Sequence, residues 1–297
     1  MRTSWMTSLV LVFCIAGLRG EDGENPGAAA EVSPIRIQGS DTMLQLNLSF
    51  AQALKKEDPQ QSLVVRGEGS SAGFRALITG EADIAASSRP IKESELAKLK
   101  EKRGLVAQEI VVAFDPIAVF VHKDNPIDSV TVSELRELYT TEGMTNRWED
   151  LGRTVGGEER ASGAIHRLGR SPSSGTYGAF LKMITAGNRA KFRGEITKPA
   201  GSKALVEAVS QDPLAIGYSA AAYKTEGVKF LKIKPEQEDA EPVAPTPEIV
   251  RAGKYPLTGK LYYYTAGEAE GELKGFIDWL KTNEAKAQIR AQRLVAP

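Results

Sequence analysis

The chain has 297 residues, of which 41% are hydrophobic and 26% are charged, a composition typical of a folded protein with a buried core. Lys and Arg together number 38, as do Asp and Glu together. This balance excludes the basic excess that a general nucleic-acid binder needs. At roughly 100–200 residues per domain, the length predicts about two domains.

Residues 1–20 have the pattern of a secretory signal peptide: a basic start, a short apolar run and a polar exit. The run is shorter than the roughly 20 apolar residues that a membrane-spanning helix needs. Cys14, the single cysteine, lies inside it, and Phe13 stands where lipoprotein signals have a small residue, so no lipid anchor is expected. Residues 21–33 are interpreted as a flexible leader. The chain is therefore predicted to be exported, to the periplasm or cell envelope.

From residue 35 onward, short β-type runs alternate with helical patterns, which predicts an α/β fold with mainly parallel sheets covered by helices. The predicted strands are 35–38, 63–66, 83–86, 110–113, 117–121, 165–168, 215–218, 228–233 and 261–265. The predicted helices are 95–102, 132–139, 202–209 and 271–291, with two further helical faces formed by Met43, Leu46, Phe50 and Leu54 and by Tyr177, Phe180, Leu181 and Ile184. Residues 236–247 are acidic and proline-rich, which predicts an exposed loop.

Three serine-bearing turns share one design, because each follows a predicted strand and opens a helix. They are GSDT at 39–42, GEGSSAG at 67–73 and GRSPSSGT at 169–176. Each places hydroxyls and backbone N–H groups at a helix N-terminus, whose partial positive charge favours an anion. Helix capping by Ser, Thr and Asp is the simpler explanation of any one turn. Three such turns, one with the planar donor fork of Arg170, indicate an oxyanion site.

Other kinds of site have weaker sequence support. Neither a P-loop nor a GxGxxG sequence is present, which argues against a nucleotide site. His122 and His166 are the only histidines, and neither has a cysteine or carboxylate at ligand spacing, so no metal or other cofactor is predicted. A triad of one histidine with a turn serine is an alternative, although neither histidine lies in a nucleophile elbow.

The ordered set GSDT, GSSAG, DIAASSR and GRSPSSGT resembles the phosphate-binding proteins of bacterial phosphate ABC importers. The resemblance covers the chain from about residue 35 to the C-terminal helix. It implies a two-lobed type II periplasmic-binding protein fold, in which each lobe is a mixed, mainly parallel sheet flanked by helices and the ligand lies between the lobes. The implied organisation is a first part of lobe I at 34–115, lobe II at 116–239, and a return segment of lobe I with the C-terminal helix at 240–297.

The resemblance also implies a set of phosphate-binding residues. They are Ser40, Asp41, Thr42, Met43, Ser70, Ser71, Ser88, Arg89, Arg170, Ser174, Gly175 and Thr176.

One position departs from the family pattern. Ser88 stands where the family has an aspartate that accepts a hydrogen bond from protonated phosphate. A hydroxyl donates or accepts, whereas an aspartate only accepts, so selectivity for phosphate over sulfate, molybdate or tungstate stays open. Asp41 is either the replacement acceptor or a helix N-cap. Arg89 either lines the cleft or forms a structural ion pair.

Together with the signal-like start of the chain, the resemblance implies a non-enzymatic, exported and monomeric protein that captures inorganic phosphate and delivers it to a membrane ABC permease. No nucleic acid or cofactor is expected as a partner. Three alternatives stay open: a binder of another tetrahedral oxyanion, a secreted phosphoesterase that uses a turn serine, and a sensory or surface-attached phosphate scavenger without a transporter partner.

Overall fold

The computed structural model of the protein describes residues 33–155, 163–237 and 239–297. The predicted signal peptide and leader, including Cys14, lie outside the described residues apart from Ser33. None of the helices in the described ranges is both long enough and apolar enough to cross a membrane.

Strands and helices alternate along most of the described chain. The strands are β1 (Ile35–Gly39), β2 (Leu63–Gly67), β3 (Ile84–Ser87), β4 (Ala107–His122), β5 (Ser129–Thr131), β6 (His166–Leu168), β7 (Ala215–Ala220), β8 (Val228–Phe230), β9 (Lys232–Lys234) and β10 (Thr258–Ala266). The helices are α1 (Leu44–Glu57), α2 (Ser70–Thr79), α3 (Glu93–Arg103), α4 (Val132–Tyr139), α5 (Gly175–Ile184), α6 (Gly201–Ser210), α7 (Pro247–Arg251), α8 (Gly271–Trp279) and α9 (Asn283–Ala291). Short 3-10 turns occupy Asp41–Met43, Trp148–Leu151 and Ala221–Tyr223.

One continuous sheet path connects most strands in the order β2-β1-β3-β10-β4-β7-β6, with β8 also paired to β4. The pairs β1–β2, β1–β3 and β6–β7 are parallel. The pairs that involve β4 or β10 are antiparallel. The sheet is therefore mixed, which confirms the predicted α/β class.

Strand β4 links the two lobes of the fold. Its first half pairs with β10 from Ala107 to Pro116, and its second half pairs with β7 from Ile117 onward. Each half of the path has its own hydrophobic core. Phe50 and Tyr263 lie in one core, and Phe180 and Tyr218 lie in the other. The half of the path that contains β1, β2, β3 and β10 is called the first lobe, and the half that contains β6 and β7 is called the second lobe.

Local sequence explains several element boundaries. Helix α1 forms because Leu46, Phe50 and Leu54 recur on one buried face, as predicted. Helix α4 begins with a capping box, in which Thr131 Oγ1 accepts the Glu134 amide and the Glu134 carboxylate accepts the Thr131 amide.

Four predicted elements were wrong in detail. The predicted strands 110–113 and 117–121 are parts of one strand, β4. The strand continues through Pro116, and at this residue its pairing partner changes from β10 to β7. The predicted helix 271–291 is two helices, since Thr282 accepts the Ala285 amide and starts α9. The predicted strand 228–233 is divided into β8 and β9, which pair with different strands.

Candidate functional site

Hydroxyls from the first lobe meet at the carboxyl ends of β1 and β3. Ser40 follows β1, Ser88 follows β3, and Ser70 opens α2. Ser40 Oγ lies 3.1 Å from Ser88 Oγ, and the Ser88 amide donates to Ser70 Oγ at 3.2 Å. All three residues are buried. The first two predicted turns and the segment after β3 therefore form one hydroxyl cluster.

The third predicted turn contributes from the other lobe. Thr176, in the first turn of α5, has its Oγ1 2.8 Å from Thr42 Oγ1. The same Oγ1 donates to Ser88 Oγ at 3.3 Å. Thr176 is fully buried. The two lobes thus share one network of hydroxyls, which can donate or accept as the bound group requires.

Arg170 is the cation of this network and is only 2% exposed. Its Nη1 donates to Ser202 Oγ at 2.7 Å and to Thr42 Oγ1 at 3.3 Å. Its Nη2 donates to Asp41 Oδ2 at 3.0 Å. Burial lowers the pKa of Arg170, while the charge of Asp41 raises it. The guanidinium remains charged because arginine side chains are not deprotonated in proteins near neutral pH.

An aromatic stack supports the main chain at Arg170. The Arg170 amide donates to the Tyr218 hydroxyl at 3.4 Å. The Tyr218 ring stacks on the Phe180 ring at 3.7 Å between centroids, with the planes 9° apart. Since Phe180 lies on α5 and Tyr218 on β7, the stack ties the arginine to two rigid elements.

Two glycines permit the close approach of these segments. A Cβ atom at Gly39, whose φ is +143°, would meet the Ala86 carbonyl oxygen at 2.1 Å. A Cβ atom at Gly175 would meet Ser70 Oγ at 2.5 Å and Ser88 Oγ at 2.6 Å. Gly175 is therefore the position where the main chain of the second lobe lies against the hydroxyls of the first.

The position of Asp41 argues against one of its two predicted roles. Ser40, not Asp41, is the N-cap residue of the 3-10 turn, and no side chain caps that turn. The Asp41 carboxylate instead accepts from Arg170. Asp41 is therefore not the helix N-cap. One of its carboxylate oxygens already accepts a hydrogen bond from the Arg170 guanidinium.

Arg89 has partners that match its structural alternative. Its Nη1 and Nη2 donate to the Glu95 carboxylate at 2.8 and 2.7 Å, and its Nη2 donates to Ser71 Oγ at 3.2 Å. The guanidinium also lies over the Phe74 ring, 4.8 Å from its centroid. Arg89 and Ser88 line an open groove of about 620 Å³ beside the hydroxyl cluster. Arg89 thus lies near the site with its charge already paired.

Three other predicted residues lie at the edge of the network. The Met43 amide donates to the Ser40 carbonyl at 3.0 Å, and its side chain is buried in the core of the first lobe. The Ser71 amide donates to the Ser173 carbonyl at 3.3 Å, which is a direct contact between the second and third turns. Ser174 is buried as the N-cap residue of α5, without a side-chain capping bond.

Three residues in or near this network were not predicted by the sequence analysis. Ser202 follows Gly201 at the start of α6, so a fourth glycine–serine helix start was the available signal. Tyr223 donates its hydroxyl to the Asp41 carbonyl oxygen, and its pKa is raised to about 12 by burial. Asp115 is fully buried in β4, and burial raises its pKa to about 7. Neither Tyr223 nor Asp115 belongs to a recognisable motif.

The histidines take part in other interactions. His166 Nδ1 lies 2.6 Å from Asp212 Oδ2, and His122 Nδ1 accepts the Asp124 amide at 3.2 Å. Among the residues that the structure describes, no three His, Cys, Asp or Glu side chains are grouped so that they could hold a metal ion.

Comparison with known proteins adds independent information. A family model described as a PBP superfamily domain matches residues 24–284. The phosphate-binding protein PstS of Pseudomonas aeruginosa is 33% identical over 232 residues, which is 76% of this chain and 70% of that protein. PstS of Bacillus subtilis is 28% identical over 96% of this chain and 89% of its own length.

Solved structures agree with these relatives. A phosphate ABC transporter substrate-binding protein from Clostridium perfringens, solved with bound phosphate, has a TM-score of 0.76 at 24% identity and matches 89% of this chain and all of its own. An ABC-type phosphate transport receptor from Vibrio cholerae has a TM-score of 0.66 at 25% identity over the same shares. The chain therefore belongs to the PBP superfamily, as a PstS-like protein with the two-lobed type II fold.

Proposed function

We propose that this protein captures inorganic phosphate between its two lobes and delivers it to an ABC importer. The observation that carries the proposal is a hydrogen-bonded network of Ser40, Ser88 and Thr176, from both lobes, which reaches the buried guanidinium of Arg170 through Thr42. The phosphate-binding names of the relatives support the same ligand.

The chemistry of the network suits a tetrahedral oxyanion. Serine and threonine hydroxyls donate to anionic oxygens, and a guanidinium donates in a planar fork, so together they replace water around the ligand. A micromolar site needs about 8 kcal/mol, which several charge-assisted hydrogen bonds can supply.

Ligand binding favours lobe closure in this mechanism. The oxyanion contacts Ser70 and Ser88 from one lobe and Arg170 and Thr176 from the other. A ligand that contacts both lobes binds the closed form more tightly than the open form, and so shifts the equilibrium toward closure. The permease then recognises the closed form.

The core packing supports lobe boundaries that differ from the prediction at one place. Val243, Val250, Tyr255 and Leu257 pack in the same core as Phe180. Leu261 and Tyr263 pack in the core of the first lobe. We therefore place the return from lobe II to lobe I near residue 258, rather than at 240, and the outward crossing near 116.

Export, the permease partnership and the monomeric state belong to the same proposal. Export is supported by the signal-like sequence of residues 1–20, and the permease partnership by the transport functions named for the relatives. The monomeric state rests on the family resemblance alone.

A binding role, without catalysis, is favoured by the partners of the site hydroxyls. In the described part of the chain these hydroxyls contact one another and Arg170, while the histidines contact Asp212 and the Asp124 amide. A serine nucleophile needs an adjacent base, and the contacts recorded for these serines include no histidine. Turnover of an aryl phosphate that is lost in Ser174→Ala would favour the phosphoesterase instead.

Ser88 keeps a second oxyanion in consideration, because its hydroxyl can donate to unprotonated sulfate. Isothermal titration of the ligand-stripped protein with phosphate, and separately with sulfate, tests both. Micromolar or tighter phosphate binding is expected, with sulfate weaker by at least a hundredfold. Equal affinities would make the protein a general oxyanion receptor, and no heat with either anion would overturn the proposed function.

A further inference from the structure

Asp115 has a buried carboxylate, and one of its oxygens accepts no hydrogen bond from the described residues. The residue is 2% exposed and lies in β4 directly before Pro116. Its Oδ1 is buried and has no hydrogen-bond partner within the described ranges. Buried polar atoms in proteins are nearly always hydrogen-bonded, so an orphaned acceptor needs an explanation.

The strand register places Asp115 beside the hydroxyl cluster. Ser87, the last residue of β3, pairs with Tyr262 of β10, whereas Asp115 pairs with Gly259 of β10. Because β10 runs antiparallel to β3, Gly259 lies three residues past the carboxyl end of β3. On the other side, Ala220 ends β7 opposite Ile117. Asp115 therefore lies past the carboxyl ends of both β3 and β7, which are followed by Ser88 and by the turn that contains Tyr223.

The groups that face Asp115 come from three segments and leave its acceptor free. Tyr255 donates its hydroxyl to the Ile117 carbonyl at 3.0 Å, and Tyr223 donates to the Asp41 carbonyl. Arg170 is near enough for its charge to lower the pKa of Asp115, against the larger rise due to burial. Gly259, opposite Asp115 on β10, adds no side chain.

We propose that Asp115 selects a protonated oxyanion, because its carboxylate accepts a hydrogen bond from the hydroxyl of hydrogen phosphate held among the serine turns. The inference rests on the proposed function and adds the residue that replaces the acceptor absent at Ser88. Sulfate carries no proton at neutral pH, so its oxygen would face the carboxylate without a hydrogen bond. Asp41 is a weaker candidate for this role, since its carboxylate already accepts from Arg170.

The test compares titrations of phosphate and of sulfate at pH 8.0 and 5.5 for the wild type and three variants. In Asp115→Asn, phosphate affinity at pH 8.0 is expected to fall at least tenfold and sulfate affinity to rise at least tenfold. Asp41→Asn is expected to change both affinities by similar factors, and Asp83→Asn, outside the site, to change neither. Thermal melting establishes that each variant is folded.

The wild type supplies a second readout that needs no variant. Below its pKa, Asp115 carries a proton and can donate to sulfate, so the ratio of phosphate to sulfate affinity is expected to fall at least fivefold at pH 5.5. The inference is overturned if Asp115→Asn keeps the wild-type ratio within threefold, or if Asp41→Asn alone abolishes it. A wild type that binds no phosphate overturns the proposed function, which is a distinguishable result.

Discussion

Arg170 and Asp41, 129 positions apart in the chain, form an ion pair of 3.0 Å between Nη2 and Oδ2 that connects the two lobes. Asp41 follows β1, and Arg170 follows β6, so the pair joins turns at the carboxyl ends of two strands. Because Asp41 accepts from only one Nη, the guanidinium keeps donors that a bound oxyanion can share. The pair thus aligns the fork while it limits the cost of burying the charge.

The first prediction concerns Arg170→Ala. Loss of hydrogen bonds from a charged donor costs about 1.5–3 kcal/mol, so phosphate affinity should fall at least tenfold. Isothermal titration measures the affinity, and circular dichroism measures folding.

Arg167→Ala is the matched control for this prediction. Arg167 is also buried, but its guanidinium donates to the carbonyls of Leu138 and Thr145. The control should melt at a lower temperature and keep phosphate affinity within threefold. Wild-type affinity in Arg170→Ala would remove Arg170 from the site.

The second prediction concerns the contact between the lobes at Gly175. An alanine Cβ there would lie 2.5 Å from Ser70 Oγ and 2.6 Å from Ser88 Oγ, closer than atoms can pack. Gly175→Ala should therefore oppose closure and lower phosphate affinity at least tenfold, while the ligand-free free energy of unfolding changes by about 1 kcal/mol or less.

Gly178→Ala provides the comparison on the same helix. Among the described residues, no atom outside the neighbouring helix backbone lies within 4 Å of a Cβ at Gly178, so the phosphate affinity of Gly178→Ala should equal that of the wild type. If titration gives both variants the same affinity, the contact at Gly175 does not control closure.

The positions of the three serine-bearing turns could be predicted from the sequence. The three turns were predicted because Gly, Ser and Thr recur after strands, and local pattern is sufficient to place them at helix N-termini. Their mutual contacts, such as Thr42 with Thr176, depend on the sheet order and follow only from the fold or from the family resemblance.

The surroundings of Asp115 could not be predicted from local sequence pattern. Its environment comes from β7, β10 and the turn that contains Tyr223, all distant in sequence. The continuous strand β4 was also missed, because Asp-Pro is usually a turn signal. In the fold, Pro116 lies where β4 exchanges one partner strand for another, and there the missing N–H is tolerated.

The third prediction separates Arg89 from Arg170. Because Arg89 is paired with Glu95 and packed on Phe74, Arg89→Ala should lower the melting temperature, while phosphate affinity falls by less than threefold. Glu95→Gln should lower the melting temperature in the same direction, because it removes the same ion pair. A tenfold loss of affinity in Arg89→Ala alone would instead place Arg89 among the ligand contacts.

The fourth prediction follows from the pKa of Asp115 in the ligand-free protein. Burial raises that pKa from 3.8 to about 7, so between these values the folded state binds a proton that the unfolded state has released. The free energy of unfolding therefore decreases as pH rises through this range, and the whole cost of ionising Asp115 is present above pH 7. At about 1.4 kcal/mol per pH unit, Asp115→Asn should gain about 2–3 kcal/mol over the wild type between pH 5 and pH 8.

Urea unfolding at the two pH values measures this gain, and Asp83→Asn is the control, because its effect should not change between pH 5 and pH 8. Burial raises the pKa of Asp83, but the hydrogen bonds and charge of Arg36 together lower it below 3.8. The stability that Asp83 contributes is thus fully present above 3.8 and lost only as pH falls through its lower folded-state pKa. Asp83→Asn should therefore differ from the wild type by the same amount at pH 5 and pH 8. If Asp115→Asn also shows no change between the two pH values, then Asp115 is ionised in the folded state at pH 5, and its buried carboxylate must have a partner that compensates its charge.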